Sequence, residues 1–261
     1  MVKSLVLYDQ IYNTPKKGNM EEISERYLKY LNELTQSFPN TKIHIKKLRK
    51  FDSRFEILIS GSEEVFILNL LKKKIGAIHE FETVKTNDIF KGVLVDVGKV
   101  GFGIFVDCAI ANPKIDVLLN LFDLRTQLCN EKNVSLPEII KHYDFINRFP
   151  VYVKIVTVSK EKQQIQGMLD KKTLDFYEKL ISENLEAVFL SGETKGQFKK
   201  ALVKTGHYRD IVSIERFGFL ENIVILREST TAPGIIADIG KHLKNCKLNA
   251  IRPERIRQLY K

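Results

Sequence analysis

The stretch Asn87–Asp107, NDIFKGVLVDVGKVGFGIFVD, decides the predicted fold of the central part of this 261-residue chain. Apolar and polar residues alternate from position 89 to position 97, which indicates a half-buried strand. Three glycines, at positions 98, 101 and 103, then interrupt the alternation and predict a turn. A second strand follows the turn. In a regular strand Phe102 and Phe105 would point to opposite faces, because side chains alternate with period two.

A bulge at Gly103 would instead bring both phenylalanine rings to one face of the predicted hairpin. Two exposed rings on one face are the arrangement that stacking on nucleic-acid bases requires. The alternative is that Phe102 and Phe105 are core residues of an ordinary hairpin, because core aromatics outnumber functional ones. The sequence leaves both interpretations open.

The hairpin resembles the opening of an OB-fold RNA-binding module of the ribosomal protein S-one type. The matching residues are Gly92, Val93 and Val97 in the first strand and Phe102, Gly103, Phe105 and Val106 in the second. The resemblance implies an RNA-binding face on the barrel. Its predicted members are Phe102, Phe105, Lys91, Lys99 and Asn120, the last at the family's usual histidine position.

The chain departs from that family near the last strand of the barrel. Gln164 or Ile165 stands where the family commonly places an arginine. A stacking platform without neighbouring cations lacks the electrostatic part of RNA binding. The fold prediction depends less on these positions than the function prediction does.

The segments on either side of the predicted barrel share one order of elements: strand, helix, strand, strand, helix, strand. This order is typical of a ferredoxin-like βαββαβ unit. We therefore predict an α+β, multidomain fold with a ferredoxin-like domain over residues 1–84, an S-one-like OB-fold domain over 85–184 and a basic ferredoxin-like domain over 185–261. In the first domain the pattern predicts a helix N-cap at Ser62 and a closing strand over residues 77–84.

The central domain is predicted to carry a helical insertion over residues 124–149. Within it, Ser135 and Glu138 form the pattern of a capping box, with Pro137 in the first turn, so a helix is expected over 136–146. A helix over 173–182 is expected to link this domain to the next.

The net charge of +10 is unevenly distributed along the sequence. Residues 1–84 contribute +3 (14 Lys+Arg against 11 Asp+Glu), residues 85–184 contribute +1 (14 against 13) and residues 185–261 contribute +6 (14 against 8). A polyanionic partner would therefore contact mainly the C-terminal segment. The predicted phosphate-contacting residues there are Lys199, Lys200, Lys204, Arg209, Arg252, Arg255 and Arg257. The alternative is that these cations only keep helix surfaces soluble.

Composition and spacing exclude several classes of protein. The sequence has no apolar run of membrane-spanning length and no signal-peptide layout at Met1, so a cytoplasmic protein without a membrane partner is expected. Three scattered cysteines and five scattered histidines show no metal-ligand spacing. The glycine-rich segment 98–103 lacks the Gly-Lys-Ser/Thr ending of a nucleotide-binding loop. No catalytic constellation is recognisable, and we expect no enzyme activity, cofactor or metal.

Residues 229–236, STTAPGII, predict a helix start with free backbone N–H groups. The run resembles the Pro-Gly-Leu-Leu-Ala helix start of amino-acid-binding ACT domains. An effector site and ordinary helix capping are both open interpretations of it.

The three-part layout resembles an archaeal family of uncharacterised proteins catalogued as a domain of unknown function. The predicted function is non-catalytic binding of RNA or a ribonucleoprotein, acting on ribosomal RNA, the ribosome or a transcription complex. The alternative is a protein-interaction adapter whose OB barrel is structural, as in the stalk of archaeal RNA polymerase. The sequence leaves the oligomeric state open.

Overall fold

The computed structural model describes residues 2–12, 19–243 and 246–260, and it has a mixed α+β fold with a closed five-stranded β-barrel. The chain divides into two compact units. Unit 1 comprises Met1–Ile78 and Gly218–Leu220, and unit 2 comprises His79–Phe217 and Glu221–Lys261. The predicted central domain thus lies in unit 2, as does the predicted C-terminal domain except for Gly218–Leu220, and the boundary at residue 184 stays a prediction.

The strands are numbered in chain order. They are β1 (Val2–Gln10), β2 (Thr41–Leu48), β3 (Arg54–Gly61), β4 (His79–Glu80), β5 (Ile89–Val95), β6 (Gly103–Asp107), β7 (Ile110–Ala111), β8 (Val117–Asn120), β9 (Pro150–Ser159), β10 (Gln164–Leu169), β11 (Ala187–Ser191), β12 (Ile211–Arg216), β13 (Glu221–Leu226) and β14 (Lys247–Ile251).

The α-helices are numbered in the same way. They are α1 (Asn19–Leu34), α2 (Glu64–Lys74), α3 (Leu121–Leu128), α4 (Leu136–His142), α5 (Lys171–Ser182), α6 (Lys195–Lys204), α7 (Ala232–Gly240) and α8 (Pro253–Arg257). The short helix α8 was not predicted.

Unit 1 is built on an antiparallel sheet in the order β1-β3-β2. The alternation in β3 buries Phe55, Ile57 and Ile59 on one face, as period-two patterning predicts. The buried Tyr27 of α1 stacks on Phe55 with ring centroids 4.8 Å apart. Its hydroxyl donates to the carboxylate of Asp9 at 3.0 Å, so the polar end of this buried ring is satisfied.

Two predictions for the N-terminal segment are wrong. The N-cap of α2 is Glu63 rather than Ser62. The predicted strand over 77–84 does not close the sheet: Ala77 makes an isolated bridge to Leu7, β4 pairs in parallel with β7, and residues 81–83 form a 3-10 helix. The physical reason is burial, because Phe81 and Val84 are buried in the hydrophobic core of unit 2.

The barrel of unit 2 has the strand order β10-β8-β6-β5-β9 and closes through β9 and β10. Strands β8 and β10 are parallel, and the other neighbours are antiparallel. The register places Phe105 opposite Leu118, and Leu118 opposite Gln166. Side chains of directly paired residues lie on the same face, so these three form a row across β6, β8 and β10.

The C-terminal segment forms a sheet in the order β12-β13-β11-β14, in which all neighbours are antiparallel. Its strand β11 is buried along its whole length. Phe189 on β11 meets Phe149, the residue before β9, with ring centroids 5.2 Å apart. The barrel and this sheet therefore share one continuous hydrophobic core.

The predicted insertion between the third and fourth barrel strands contains α3 and α4. The capping box is confirmed, since Glu138 accepts from the backbone N–H of Ser135 at 2.9 Å and the reciprocal bond is present. The helix α4 ends at His142, four residues earlier than predicted, because Asp144 adopts a left-handed φ of 51°. The predicted linking helix corresponds to α5.

Candidate nucleic-acid interface

The hairpin of β5 and β6 brings the two predicted stacking rings together. Phe102 is 56% exposed, and Phe105 is half-buried. Their ring centroids are 6.2 Å apart, and the rings meet edge to face at 89°. Edge-to-face pairing keeps the outward face of at least one ring available for a further aromatic partner.

The bulge expected at Gly103 is not the reason for this arrangement. Over residues 103–106 the pairing of β6 with β8 runs without a shift in register. Phe102 lies just before β6, in a bend, and so is released from the alternation that fixes Phe105. The backbone N–H of Leu121 donates to the Phe102 carbonyl at 2.9 Å, which fixes this bend against the start of α3.

Gly103 is required by the close approach of β8 rather than by an unusual φ. A Cβ atom at this position would lie 2.3 Å from the Leu119 carbonyl oxygen. Any larger residue would push β8 away from β6 and separate Phe105 from Leu118. The glycine that the sequence places between the two rings is therefore a packing requirement of the barrel.

The two rings open onto a groove on the barrel surface, with a volume of about 540 Å³. Its lining, which we call the aromatic groove, consists of Asp96, Phe102, Phe105, Lys114, Ile115, Asp116, Leu118, Gln163, Gln164, Ile165 and Gln166. Its apolar members are Phe102, Phe105, Ile115, Leu118 and Ile165. Its three glutamine side chains are exposed and can both donate and accept hydrogen bonds.

The aromatic groove is close to electrically neutral. One lysine, Lys114, faces two carboxylates, Asp96 and Asp116. The predicted contact residue Lys99 stands in the adjacent loop and forms an exposed ion pair with Asp96 at 2.7 Å. Such exposed pairs stabilise a protein by about 1 kcal/mol or less, so Lys99 can exchange Asp96 for a phosphate at little cost.

Two other predicted contact residues of the barrel are engaged within unit 2. The ammonium group of Lys91 donates to the Phe217 carbonyl at 2.6 Å. The Asn120 side chain caps α3: its oxygen accepts from the Asp123 N–H at 2.9 Å and its amide donates to the Asp123 carboxylate at 2.6 Å. Asn120 thus serves helix formation, and we leave both residues out of the interface.

The predicted C-terminal lysines separate onto different surfaces. Lys199 lies 5.2 Å above the ring of Tyr208, a cation–π contact. Lys200 and Lys204 point into another pocket, which also contains residues from the end of α7. Arg209 is exposed in the turn that follows α6.

The three arginines near the C-terminus make contacts within the protein around α8, and their role as phosphate contacts stays a prediction. Arg255 donates to the carboxylate of Asp144, a buried residue 111 positions away in sequence. Arg257 donates to the side chain of Asn184 at 2.7 Å. Arg252 is the N-cap of α8 and its charge also acts on Asp144. Burial raises the pKa of Asp144 to about 6, although Arg255 and Arg252 oppose the rise.

Sequence reasoning missed several groove residues. Lys114 follows a proline in an irregular loop, where no sequence periodicity could have indicated that its side chain lines the groove. Gln164 and Gln166 alternate with buried Ile165, so their exposure on one face of β10 could have been inferred from period two. Outside the groove lining, Phe122 is 76% exposed one residue after Leu121, the backbone partner of Phe102, and no sequence pattern indicated this exposure.

The helix start at residues 229–236 is already occupied by the protein itself. Thr231 is the N-cap of α7, and the Ala232 N–H donates to the carboxylate of Glu186 at 2.6 Å. An internal carboxylate therefore meets the positive end of the helix dipole. This arrangement supports ordinary helix capping over an effector site.

Metal clusters and membrane-spanning helices are both absent from the part of the chain that the structure describes. Over residues 2–12, 19–243 and 246–260, no group of three or more His, Cys, Asp or Glu side chains is placed to hold a metal ion. In the same residues, every helix is too short or too polar to span a bilayer.

The C-terminal segment is similar to a known protein family. Residues 185–251 match the DUF2110 C-terminal domain. The matched region begins just before β11 and ends with β14, so it covers the C-terminal sheet and leaves the barrel outside. No curated protein sequence matches the chain significantly.

Solved structures with partial similarity include three from different organisms. An uncharacterised protein of Methanocaldococcus jannaschii is 19% identical over 34% of this chain and 95% of its own, with a TM-score of 0.24. One chain in the structure of the a/eIF2alpha-aDim2p-rRNA complex from Pyrococcus horikoshii is 12% identical to this chain. The match covers 49% of this chain and 70% of that chain, with a TM-score of 0.27. A multidomain protein with nucleic acid binding domains from Streptococcus pneumoniae is 18% identical, covering 42% and 35%, with a TM-score of 0.23.

Proposed function

We propose that this protein is a non-catalytic RNA-binding protein that holds single-stranded RNA in the aromatic groove. The observation that carries the proposal is the convergence of Phe102 and Phe105 on an open groove edged by glutamine amides. Bases stack on aromatic rings whatever their sequence, and amide groups can hydrogen-bond to the edges of unpaired bases. Together they supply the two short-range components of single-strand recognition.

The strand arrangement supports an S-one-like OB fold as the setting of the groove. An OB fold is a small five-stranded Greek-key barrel, and it binds oligonucleotides across the face of its second and third strands. In this chain those strands are β6 and β8, which carry Phe105 and Leu118. The position of the aromatic groove on β6 and β8 supports an oligonucleotide-binding role for this face of the barrel.

We further infer that the C-terminal segment is ferredoxin-like. Its βαββαβ order and its antiparallel sheet, β12-β13-β11-β14, support this assignment. For the N-terminal segment the support is weaker, because its sheet has three strands, β1-β3-β2, and residue 77 adds an isolated bridge beside them.

The charge of the groove sets the expected strength of binding. With one lysine among its lining residues against two carboxylates, the groove gains little from counterion release. Affinity should be modest and should depend on unpaired, unstacked bases. Single-stranded loops of ribosomal RNA, of the ribosome or of a transcription complex in the cytoplasm are the partners that we propose.

Fluorescence anisotropy with labelled oligouridine and oligoadenine tests this proposal. The Phe102→Ala/Phe105→Ala variant should lose about 1–3 kcal/mol of binding free energy per stacked base, or about 5- to 150-fold in affinity for one base. The control is Ile89→Ala, which truncates an exposed apolar residue of the same barrel outside the groove. Unchanged binding by the double variant, with its fold intact by circular dichroism, would refute the proposal.

The near neutrality of the groove also favours a second candidate, an adapter that binds a protein through the same apolar surface. Native pull-down with and without ribonuclease separates the two functions. Partners that disappear after ribonuclease treatment support RNA binding. Partners that the wild type still captures after ribonuclease treatment, but that the Phe102→Ala/Phe105→Ala variant does not capture, support the function as a protein-binding adapter.

A further inference from the structure

Four basic side chains converge on a second concave surface of unit 2. Lys200 and Lys204 come from α6, whereas Lys241 and His242 follow the end of α7. Together with Glu193, Gln197, Ala201 and Leu243 they line a pocket of about 570 Å³, which we call the lysine pocket. The pocket thus combines two helices that are separated by a β-hairpin in sequence.

The clustering of these lysines opposes the stability of the helix that carries two of them. Lys200 and Lys204 are four residues apart, so they are neighbours on one face of α6, where like charges repel. Lys204 is the last residue of α6, where the negative end of the helix dipole stabilises a positive charge, so its position has an ordinary structural explanation. The helix dipole does not account for the convergence of Lys200 and Lys241 on the same concave surface.

The pocket holds little negative charge to balance these cations. Its one lining carboxylate belongs to Glu193, whose Oε1 accepts from the Thr194 N–H at 2.8 Å. Within the described part of the chain, no ion pair is formed by Lys200, Lys204 or Lys241. Burial, and then the charges of Lys204 and Lys241, lower the pKa of His242, which agrees with a positive potential inside the pocket.

We propose that the lysine pocket is a binding site for phosphate groups. Ammonium groups act as point charges with rotatable donors, so three of them can surround a phosphate from different directions. The Gln197 amide adds a neutral donor, and an entering anion would favour protonation of His242. The source of the phosphate that we infer is the RNA backbone, and this last step alone rests on the proposed function.

Isothermal titration calorimetry with inorganic tripolyphosphate at low salt tests the pocket without RNA. The wild type should bind saturably, and Lys200→Ala/Lys241→Ala should bind about tenfold more weakly or worse. The matched control is Lys171→Ala/Lys179→Ala, which removes the same charge from exposed positions on α5. Equal affinity of the wild type and the pocket variant, or an equal loss in the control, would overturn the site.

A second titration, with an oligoribonucleotide, identifies the source of the phosphate. If the RNA backbone is the source, the pocket variant should bind RNA more weakly, while Phe102→Ala/Phe105→Ala retains its affinity for tripolyphosphate. Loss of tripolyphosphate binding without loss of RNA binding would overturn the backbone as the source and point to a small polyphosphate ligand. RNA binding that survives in the groove variant would refute the proposed function and leave the phosphate site standing.

Discussion

The aromatic groove and the lysine pocket differ in almost every property that matters for binding RNA. The groove combines two phenylalanines with three glutamines and nearly balanced charge. The pocket combines three lysines with a histidine, and among the described residues its lining has no aromatic ring. Contacts with bases carry sequence information, whereas contacts with phosphates supply affinity and position. We infer that this chain has separated the two tasks onto two surfaces.

The separation follows the uneven charge of the sequence. Residues 85–184, which form the groove, carry a net charge of +1, whereas residues 185–261, which form the pocket, carry +6. The two surfaces are connected through the C-terminal sheet, because one set of its buried residues shares a hydrophobic core with the barrel and the other set forms a separate cluster with α6 and α7. The following predictions test whether the aromatic groove and the lysine pocket bind different parts of RNA and are connected through the C-terminal sheet.

The largest effect is expected from Phe189→Ala, which should weaken both surfaces together. Phe189 is fully buried and contacts Phe149 at the start of the barrel strand β9. Removing a buried phenylalanine side chain destabilises a protein by about 3–5 kcal/mol. Denaturant unfolding should show this loss, and binding of both oligouridine and tripolyphosphate should fall at elevated temperature.

The matched control for that variant is Phe198→Ala. Phe198 is also fully buried, but it belongs to the separate cluster between the C-terminal sheet and its helices. Its removal should affect the lysine pocket on α6 more than the groove. An equal effect of both variants on both ligands would contradict the idea that Phe189 links the two surfaces.

The second prediction concerns the groove variant, Phe102→Ala/Phe105→Ala. Its RNA affinity should fall by about 1–3 kcal/mol per stacked base, while the slope of log K against log salt concentration stays unchanged. The reason is that stacking releases no counterions. A change in the slope would show that the groove also contacts phosphates, so that the two surfaces share a task.

The sequence predicted those parts of the molecule that local patterns control. Alternation from residue 89 located the hairpin, and Ser135 with Glu138 located the start of α4. The pairing of Phe102 with Phe105 was expected, but for a different reason, because a bend before β6 rather than a bulge brings the rings together. Local patterns name the residues of an element more reliably than the detailed geometry between elements.

Sequence reasoning failed where a distant residue decides the outcome. It did not predict the contact of Arg255 with Asp144, which lies 111 positions away in sequence. Residues 77–84 looked like a closing strand, but Phe81 is buried in unit 2. Likewise, Lys241 and His242 join Lys200 only because α6 and α7 both pack on the C-terminal sheet. No spacing within the sequence encodes these juxtapositions.

The third prediction concerns the lysine pocket and its share of the salt dependence. We expect the Lys200→Ala/Lys204→Ala variant to have a shallower slope of log K against log salt concentration for RNA binding. The slope should decrease in magnitude by about 0.7 for each single-strand phosphate that is no longer neutralised, or by about 1.4 for two. The preference between oligouridine and oligoadenine should not change, because phosphates are the same in both. Titrations at several salt concentrations measure both quantities, and a changed preference would assign base recognition to the pocket.

The smallest effect is expected at His207, which links the 3-10 helix His207–Asp210 that follows α6 to α7. Its Nδ1 contacts the Asp210 carboxylate at 2.8 Å, and its Nε2 contacts that of Asp238 on α7, also at 2.8 Å. Hydrogen bonds to Asp210 and then Asp238 raise the pKa of His207 above the usual value of 6.5. Because the folded pKa is the higher one, the stabilisation is complete below about pH 6.5 and is lost as the pH rises through the folded pKa.

Relative to His207→Gln, the wild type should therefore be more stable by about 1 kcal/mol or less at about pH 6, with the difference vanishing at about pH 9. Denaturant unfolding at both pH values measures this difference, while oligouridine binding by the groove should change equally in the two proteins. A stability difference that is the same at both pH values would mean that His207 acts by packing and not by its charge.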